Sequence, residues 1–147
     1  MIRHSSSIEI NATVSDVFAF VSTIENIPKW QTDVLTTKVT SSGTIRAGSQ
    51  FQEVAKILGK PVETVCEITE YQPVKRFGFR SISQGPVSYS GQVLTEPNGR
   101  GTRVTVNVHV QLHGLWKIAE PLFALEIRGA TKKELKTLKS LLDRPAN

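Results

Sequence analysis

The sequence predicts an α+β fold in which a curved antiparallel sheet of seven strands closes around a long C-terminal helix. Three features predict it: an alternating first strand, a central region of short strands separated by turn residues, and a final apolar stripe at helical spacing. The length of 147 residues fits one domain, placed at residues 1–147. A chain of this size can bury a sufficient core without disulfides, and its single cysteine, Cys66, cannot form an internal bridge.

The first strand is predicted at residues 2–10, whose second half alternates cleanly between apolar and polar side chains. Thr13 is suited to cap a short helix, since apolar residues follow at helical spacing: Val14, Val17, Phe18 and Val21. Pro28 is expected to stop a second short helix at 24–27, which leaves Trp30 near the start of the next strand. Two short helices are therefore expected between strands one and two.

Six more strands are predicted between residues 34 and 112, because turn residues interrupt β-prone runs at short intervals. The interruptions are Ser41-Ser42-Gly43, Leu58-Gly59-Lys60-Pro61, Gln72-Pro73, Gln84-Gly85-Pro86 and Pro97-Asn98-Gly99-Arg100-Gly101. Connections this short favour an antiparallel meander. The last strand has the clearest buried face, formed by Val104, Val106, Val108, Val110 and Leu112.

A long helix is predicted after Gly114 and carries an apolar stripe: Trp116, Ala119, Phe123, Ile127, Thr131, Leu135, Leu138 and Leu142. The regular helix is expected to begin near Pro121, where a missing N–H costs nothing. Residues 115–127 are apolar on more than one face, which indicates contact with the sheet on one side and with a ligand or a partner on another. One core between sheet and helix is predicted to contain Phe51, Ile68, Phe77, Phe79, Val93, Val104, Val106 and Leu138.

The formal net charge of +5 arises largely near the C-terminus, from Lys132, Lys133, Lys136, Lys139 and Arg144. A solvated helix face explains these cations, and no aromatic residue that could stack on bases follows Phe123, so no nucleic-acid partner is expected. Residues 1–10 lack the apolar core of a secretory signal, and no apolar run reaches membrane-spanning length. We therefore expect a cytoplasmic protein without an integral membrane segment.

Short motifs occur along the chain in a defined order: Ile10-x-Ala12, Val17-Phe18, Trp30, Gly48-Ser49-x-Phe51, Glu70-Tyr71-x-Pro73, Phe77-Gly78-Phe79, Gly101-Thr102 and the helix 135–142. This order resembles the START-like (SRPBCC) superfamily, in particular its polyketide cyclase/dehydrase and lipid-transport branch. Thr13 stands where members of that branch often have proline, and it is also a good helix-start residue. The resemblance covers nearly the whole chain and implies a helix-grip fold with a cavity between sheet and helix. It implies no fixed catalytic residues, because the superfamily contains carriers, sensors and enzymes.

The sequence lacks the strong catalytic signatures. It contains no phosphate-binding loop, no paired-cysteine metal site and no His-Glu-x-x-His, and the stretch 87–91 lacks the first glycine of a nucleophile elbow. No metal and no cofactor are therefore expected, and catalytic residues are not assigned.

Two polar residues on apolar strand faces are the leading site candidates. Glu53 shares its face with Phe51, Ala55 and Ile57, so an inward carboxyl there would have a raised pKa. A bulge that turns Glu53 outward is the alternative. Tyr89 lies on an apolar face on which a neighbouring glycine leaves space for a ligand, although it is also suited to ordinary core packing.

Four further residues complete the predicted ligand-binding set: His4, Trp30, Trp116 and Phe79. His4 shares a face with Ile8 and points into a cavity mouth, or it lies at a frayed strand end. The two tryptophans serve as packing anchors or as cavity walls.

The leading hypothesis is a protein that binds a small hydrophobic or amphipathic molecule, such as a lipid, polyketide or aromatic metabolite, in a pocket of roughly 300–1,000 Å³. One alternative is a cyclase or dehydratase that moves protons on a bound polyketide-like substrate, so enzymatic activity stays open. The other is a protein-interaction module that uses the apolar start or the basic end of the last helix. The expected partner is a small hydrophobic ligand, and the sequence leaves room for a homodimer.

Overall fold

The computed structural model describes residues 1–57 and 59–144. Its strands are β1 (Ile2–Ile10), β2 (Val34–Val39), β3 (Gln50–Ile57), β4 (Lys60–Gln72), β5 (Arg76–Ser81), β6 (Val87–Asn98) and β7 (Gly101–Leu112). Its helices are α1 (Val14–Val21), α2 (Ile27–Trp30) and α3 (Glu120–Leu142), with 3₁₀ turns at Ile24–Asn26 and Gly114–Ala119. The predicted element order is confirmed. Leu58, in one of the predicted turns, lies outside the described residues.

The strands form one antiparallel sheet in the order β1-β7-β6-β5-β4-β3-β2. The first and last strands are neighbours, with Ile2 opposite Val110 and Ile10 opposite Thr102. This pairing brings α3, which follows β7, back against the edge strand β1. The arrangement is the predicted helix-grip fold.

The segment between β1 and β2 begins as predicted and ends differently. Thr13 caps α1, because its Oγ1 accepts a hydrogen bond of 3.2 Å from the backbone N–H of Asp16. The prediction that Pro28 stops a helix is wrong, since Pro28 lies in the first turn of α2, where its missing N–H has no partner to lose. Trp30 is accordingly the last residue of α2, a few residues before β2 begins at Val34.

Both ends of α3 follow from local chemistry. Pro121 lies in its first turn, as predicted. At the other end, Asp143 accepts a hydrogen bond of 2.8 Å from the backbone N–H of Asn11, and the Arg144 backbone N–H donates to the Asn11 carbonyl at 2.8 Å. These bonds fix the end of α3 to the chain between β1 and α1, so the helix lies in a defined position across the sheet.

The residues of the predicted core are buried or partly buried in the interior, where they divide into three clusters that shared neighbours connect: Val108 packs against the first and third clusters, and Tyr89 against the second and third. Val93, Val104, Val106 and Leu138 pack with Trp30 in the first cluster. The second contains Phe51, Ile68 and Phe77, with Phe79 packed against it, and the third contains Val87, Val110, Leu112 and Phe123. Residues of all three clusters line one cavity between the sheet and α3.

The start of the C-terminal helical segment presents large apolar side chains to the surface. Leu115 and Ile118 in the 3₁₀ turn, and Leu122 and Leu125 in α3, are exposed by 85%, 81%, 63% and 66%. The predicted second apolar face therefore exists and has no covering element within the described chain. Among the described residues, no helix combines the length and the apolarity that a membrane crossing requires.

Candidate functional site

The cavity lies between the inner face of the sheet and α3 and has a volume of about 170 Å³. Its walls are mostly apolar and include Val34, Ala55, Ile57, Phe79, Val87, Val93, Val106, Val108, Val110, Phe123, Ile127 and Ala130. The volume is below the roughly 300–1,000 Å³ expected for a ligand pocket. Large side chains on both walls account for the difference, since Phe79 on the sheet and Phe123 on α3 both line the space.

Glu53 and Tyr89 meet at the wall of this cavity. Glu53 is 3% exposed, and the Tyr89 hydroxyl donates a hydrogen bond to its Oε2. Two strands separate β3 from β6 in the sheet, so at about 4.8 Å per strand a flat sheet would hold these residues roughly 14 Å apart. The curvature of the sheet is therefore what brings the pair together.

Cys66 completes a buried three-residue network. Its Sγ lies 3.4 Å from the Tyr89 hydroxyl oxygen and 3.9 Å from Oε2 of Glu53. Burial raises the pKa of Glu53, and the hydrogen bonds from Tyr89 and Cys66 lower it by less than burial raises it. Burial, followed by the nearby Glu53 carboxyl, raises the pKa of the Cys66 thiol to about 12 and also raises the pKa of Tyr89. Tyr89 and Cys66 therefore keep their protons, and Glu53 is the group of this network that titrates at lower pH.

Two further acidic residues line the cavity from other elements. Glu134 is half-buried on α3, and Asp33 directly precedes β2. Burial, together with the charges of Asp33 and Glu53, raises the pKa of Glu134 to about 8. Among the described lining residues there is no lysine, arginine or histidine. The cavity of this cationic protein is thus an acidic site.

Sequence reasoning missed Glu134 and Asp33. A signal for Glu134 was present, because it lies three residues after Thr131 and four before Leu138, on the face of the predicted apolar stripe. Asp33 carries no such signal, since it lies in the connection between α2 and β2, where side-chain direction follows no period.

Gly91 sets the position of Phe79. A Cβ atom built at Gly91 would lie 2.8 Å from Cζ of Phe79, so only a residue without a side chain lets this ring lie against β6. The Phe79 ring contacts Tyr89 edge-on at a centroid distance of 6.3 Å, and Phe51 at 6.1 Å. The ring is therefore held beside the Glu53–Tyr89 pair and forms part of the cavity wall.

Of the six residues predicted to bind a ligand, the structure brings Glu53, Tyr89 and Phe79 to the cavity, and it places His4, Trp30 and Trp116 elsewhere. His4 lies on edge strand β1, in a surface groove that α3 also lines. Trp30 is fully buried in the first core cluster, and its Nε1 has no hydrogen-bond partner among the described residues. Trp116 packs against the third cluster from the 3₁₀ turn before α3. The size and apolarity of a side chain therefore did not tell a packed core position from a cavity wall.

A larger open groove of about 480 Å³ lies on the outer face of the sheet. A ladder of hydrogen bonds crosses it from Ser5 to Asn107 at 2.7 Å, from Asn107 to Gln92 at 3.2 Å and from Gln92 to Glu70 at 2.6 Å. These polar groups satisfy one another along β1, β7 and β6 and, above Gly78 of β5, from β6 to β4, so the groove has less need of a ligand than the acidic cavity.

Residues 1–143 match the sequence family of polyketide cyclase / dehydrase and lipid transport proteins. The chain belongs to this family. No curated protein matches it at a significant level.

Solved structures similar to this member of the polyketide cyclase / dehydrase and lipid transport family agree in fold. TTHA0849 from Thermus thermophilus is 22% identical at a TM-score of 0.79, with 94% of each chain covered. A START superfamily protein from Mycobacterium smegmatis is 18% identical at a TM-score of 0.77, with 95% of this chain and 96% of that one covered. The di-domain ARO/CYC BexL, from the BE-7585A biosynthetic pathway, is 19% identical at a TM-score of 0.74, with 95% and 46% covered. Identities this low establish the common fold and assign no role to a residue.

Proposed function

We propose that the protein binds a small, largely apolar molecule in the cavity between the sheet and α3. The observation that carries this proposal is the cavity itself, an apolar space with the hydrogen-bonded Glu53–Tyr89 pair at its wall. Apolar walls supply affinity by removing ligand surface from water, and a few fixed polar groups orient the ligand. The membership of the family is consistent with this function.

The energetic cost of the polar groups supports a functional role for them. A buried carboxyl without a basic partner destabilises a fold, and an apolar residue of similar size at the same position stabilises it. Glu53 is buried beside a thiol and a phenol, neither of which neutralises its charge. Contact with a ligand explains a carboxyl at this position better than stability does.

Binding is tested by filling the cavity. Ala130 lines it from α3, so Ala130→Leu should abolish the chemical-shift changes that a neutral one-ring compound, 2-phenylethanol, causes in the NMR spectrum of the protein. Ala19→Leu, on an exposed helical position of α1, is the matched control and should bind as the parent does. Binding that survives Ala130→Leu, or no response to any apolar compound in the parent, contradicts the proposal.

Proton transfer on a bound substrate is the second candidate function. The convergence of Glu53 and Tyr89 favours it, because burial raises the pKa of the Glu53 carboxyl at the cavity wall and so makes it a stronger base than an exposed carboxyl. The test is Glu53→Gln, combined with analysis of whatever molecule co-purifies with the parent. Loss of turnover with unchanged binding supports catalysis, whereas parallel loss of both supports a carrier.

Self-association is a third candidate, favoured by the exposed side chains of Leu115, Ile118, Leu122 and Leu125. A second copy of the chain would cover this face in a homodimer. Light scattering after size exclusion checks it, with Ile118→Ser as the variant that should dissociate the dimer. Leu141→Ser, at an exposed position near the far end of α3, is the control, and a monomeric parent protein rules this candidate out.

A further inference from the structure

The charge of the cavity lining restricts the ligands that fit it. Three carboxyl groups line the space: Glu53 on β3, Glu134 on α3 and Asp33 in the connection before β2. The described lining contains no basic residue that could neutralise them. A ligand with a carboxylate or phosphate would find no basic partner in this low-dielectric space, and it would be repelled by whichever of the three carboxyl groups is ionised, so an anion binds poorly there.

One oxygen of Glu53 is available to a ligand. Both hydrogen bonds to this carboxyl, from Tyr89 and from Cys66, go to Oε2. Oε1 accepts no hydrogen bond from the described residues, yet it is not sealed off by them, since Trp30 Nε1 is the only fully buried side-chain N or O atom without a partner among those residues. Because Glu53 lines the cavity, this oxygen is free to accept a hydrogen bond from a ligand, and an ammonium group offers three N–H donors together with the opposite charge.

The cavity also limits the size of the apolar part. Its volume of about 170 Å³ is close to that of an apolar protein cavity of about 150 Å³ that holds benzene. Phe79, Phe123 and Ile127 supply the apolar surface that a single ring would contact. A long acyl chain or a multi-ring skeleton exceeds this space unless α3 moves.

We infer that the ligand of this cavity is a small amine, a protonated amino group on an apolar body of about one ring. This inference rests on the proposed binding function and specifies its ligand class. The ammonium contacts Glu53 and Glu134, and the ring lies against Phe79 and Phe123.

Binding of such a cation is linked to release of a proton. Glu134 faces Asp33 before β2 and Glu53 on β3, and these charges, together with burial, raise its pKa to about 8, so most of it is protonated at pH 7. Tyr89 on β6 and Cys66 on β4, the other titratable groups of the site, keep their protons throughout this range. An arriving ammonium favours the ionised carboxyl, so Glu134 loses its proton on binding.

Three compounds of similar shape and different charge test the inference by isothermal titration calorimetry at pH 7: 2-phenylethylamine, 2-phenylethanol and phenylacetate. The amine should bind at least about tenfold more tightly than the alcohol, and the anion most weakly. Its binding heat should also depend on the ionisation enthalpy of the buffer, because a proton is released. An alcohol or anion that binds as tightly as the amine overturns the inference and leaves the proposed function standing. Absence of binding by all three overturns both.

Substitutions in α3 test whether Glu134 is responsible for the preference for an amine. Glu134→Gln should reduce amine affinity about tenfold or more and leave alcohol affinity within about threefold of the parent. Glu126→Gln, on the exposed face of the same helix, should change neither. Equal losses for amine and alcohol in Glu134→Gln would mean that the substitution disturbs the cavity as a whole, and would contradict the inference.

Discussion

A methyl group on Gly91 would stand 2.8 Å from Cζ of Phe79, a distance that no relaxed structure tolerates. Gly91→Ala should therefore push the Phe79 ring, which Phe51 and Tyr89 hold in place, and destabilise the protein by about 1–3 kcal/mol. Ligand affinity should fall as well, because the displaced ring lines the cavity. Thermal melting and a ligand titration measure the two effects.

Gly129→Ala is the control for this prediction. A Cβ atom at Gly129 meets nothing within 4 Å, and the residue lies inside α3, so alanine should stabilise the helix by about 0.5–1 kcal/mol. If Gly91→Ala melts at or above the parent temperature, the close packing of Phe79 on β6 is not a constraint.

Removal of the Tyr89 hydroxyl should weaken the fold and raise the pKa of Glu53 further. Tyr89→Phe deletes the donor to Oε2, and a buried acceptor without its partner costs about 1–3 kcal/mol. Tyr71→Phe is the matched control, because Tyr71 also packs edge-on against aromatic rings, Phe18 and Phe77, without contact to Glu53. The double variant Tyr89→Phe with Glu53→Gln should recover part of the loss, and strict additivity of the two changes would contradict a direct interaction.

The meander from β2 to β7 and the long helix could be predicted because period and turn chemistry are local signals. The sequence left open whether Glu53 faces inward and did not indicate the long-range pairing of β1 with β7. Alternation along β7 fixes which valines are buried, and Pro121 marks the first turn of α3 in both sequence and structure. Pro28 shows that a single turn residue does not fix which helix it belongs to. A proline can end one helix or begin the next, and here it lies in the first turn of α2.

The cavity could be predicted only in part, because it depends on distances across the sheet. Glu53 and Tyr89 lie on strands that are not neighbours, so their contact requires a curvature that the spacing of residues does not contain. The three core clusters have the same origin, since apolar periodicity identifies buried faces without saying where a gap remains between them. Trp30 lies in one cluster and Trp116 packs against another. Their size and apolarity suit a core and a cavity wall equally, which is why sequence reasoning assigned both to the site.

Substitution of Leu138 should unfold the protein. Leu138 is fully buried against the first core cluster, so Leu138→Asp places a carboxylate among apolar side chains, at a cost of several kcal/mol. Leu141→Asp, three residues on and 50% exposed, is the matched control and should melt within a few degrees of the parent. Circular dichroism and urea denaturation compare the two variants. A Leu138→Asp protein that melts like Leu141→Asp would contradict the burial of this face of α3.

Glu134 should make the protein less stable as the pH rises. Its pKa is about 8 in the folded state, against about 4.3 for an unfolded chain, so the folded protein holds the extra proton between these values. A native state that binds more protons than the unfolded one loses stability with increasing pH, and the loss attributable to Glu134 accumulates from about pH 4 to about pH 8. Glu134→Gln removes the titrating carboxyl, and with it the part of the stability loss at rising pH that Glu134 causes. The variant should match the parent near pH 4 and exceed its melting temperature at pH 8 by several degrees, since 1 kcal/mol corresponds to roughly 2–4 °C at this chain length.

The pH profile of the variant is informative because Glu53 remains in place. Burial raises the pKa of Glu53 as well, so a smaller decline of stability with pH should persist in Glu134→Gln and disappear only in the double variant with Glu53→Gln. Glu126→Gln, exposed on the same helix, should follow the parent profile throughout. Melting curves at half-unit steps between pH 4 and pH 9 measure all four proteins. Identical slopes for parent and Glu134→Gln would show that folding does not change the pKa of Glu134 and would contradict the raised value.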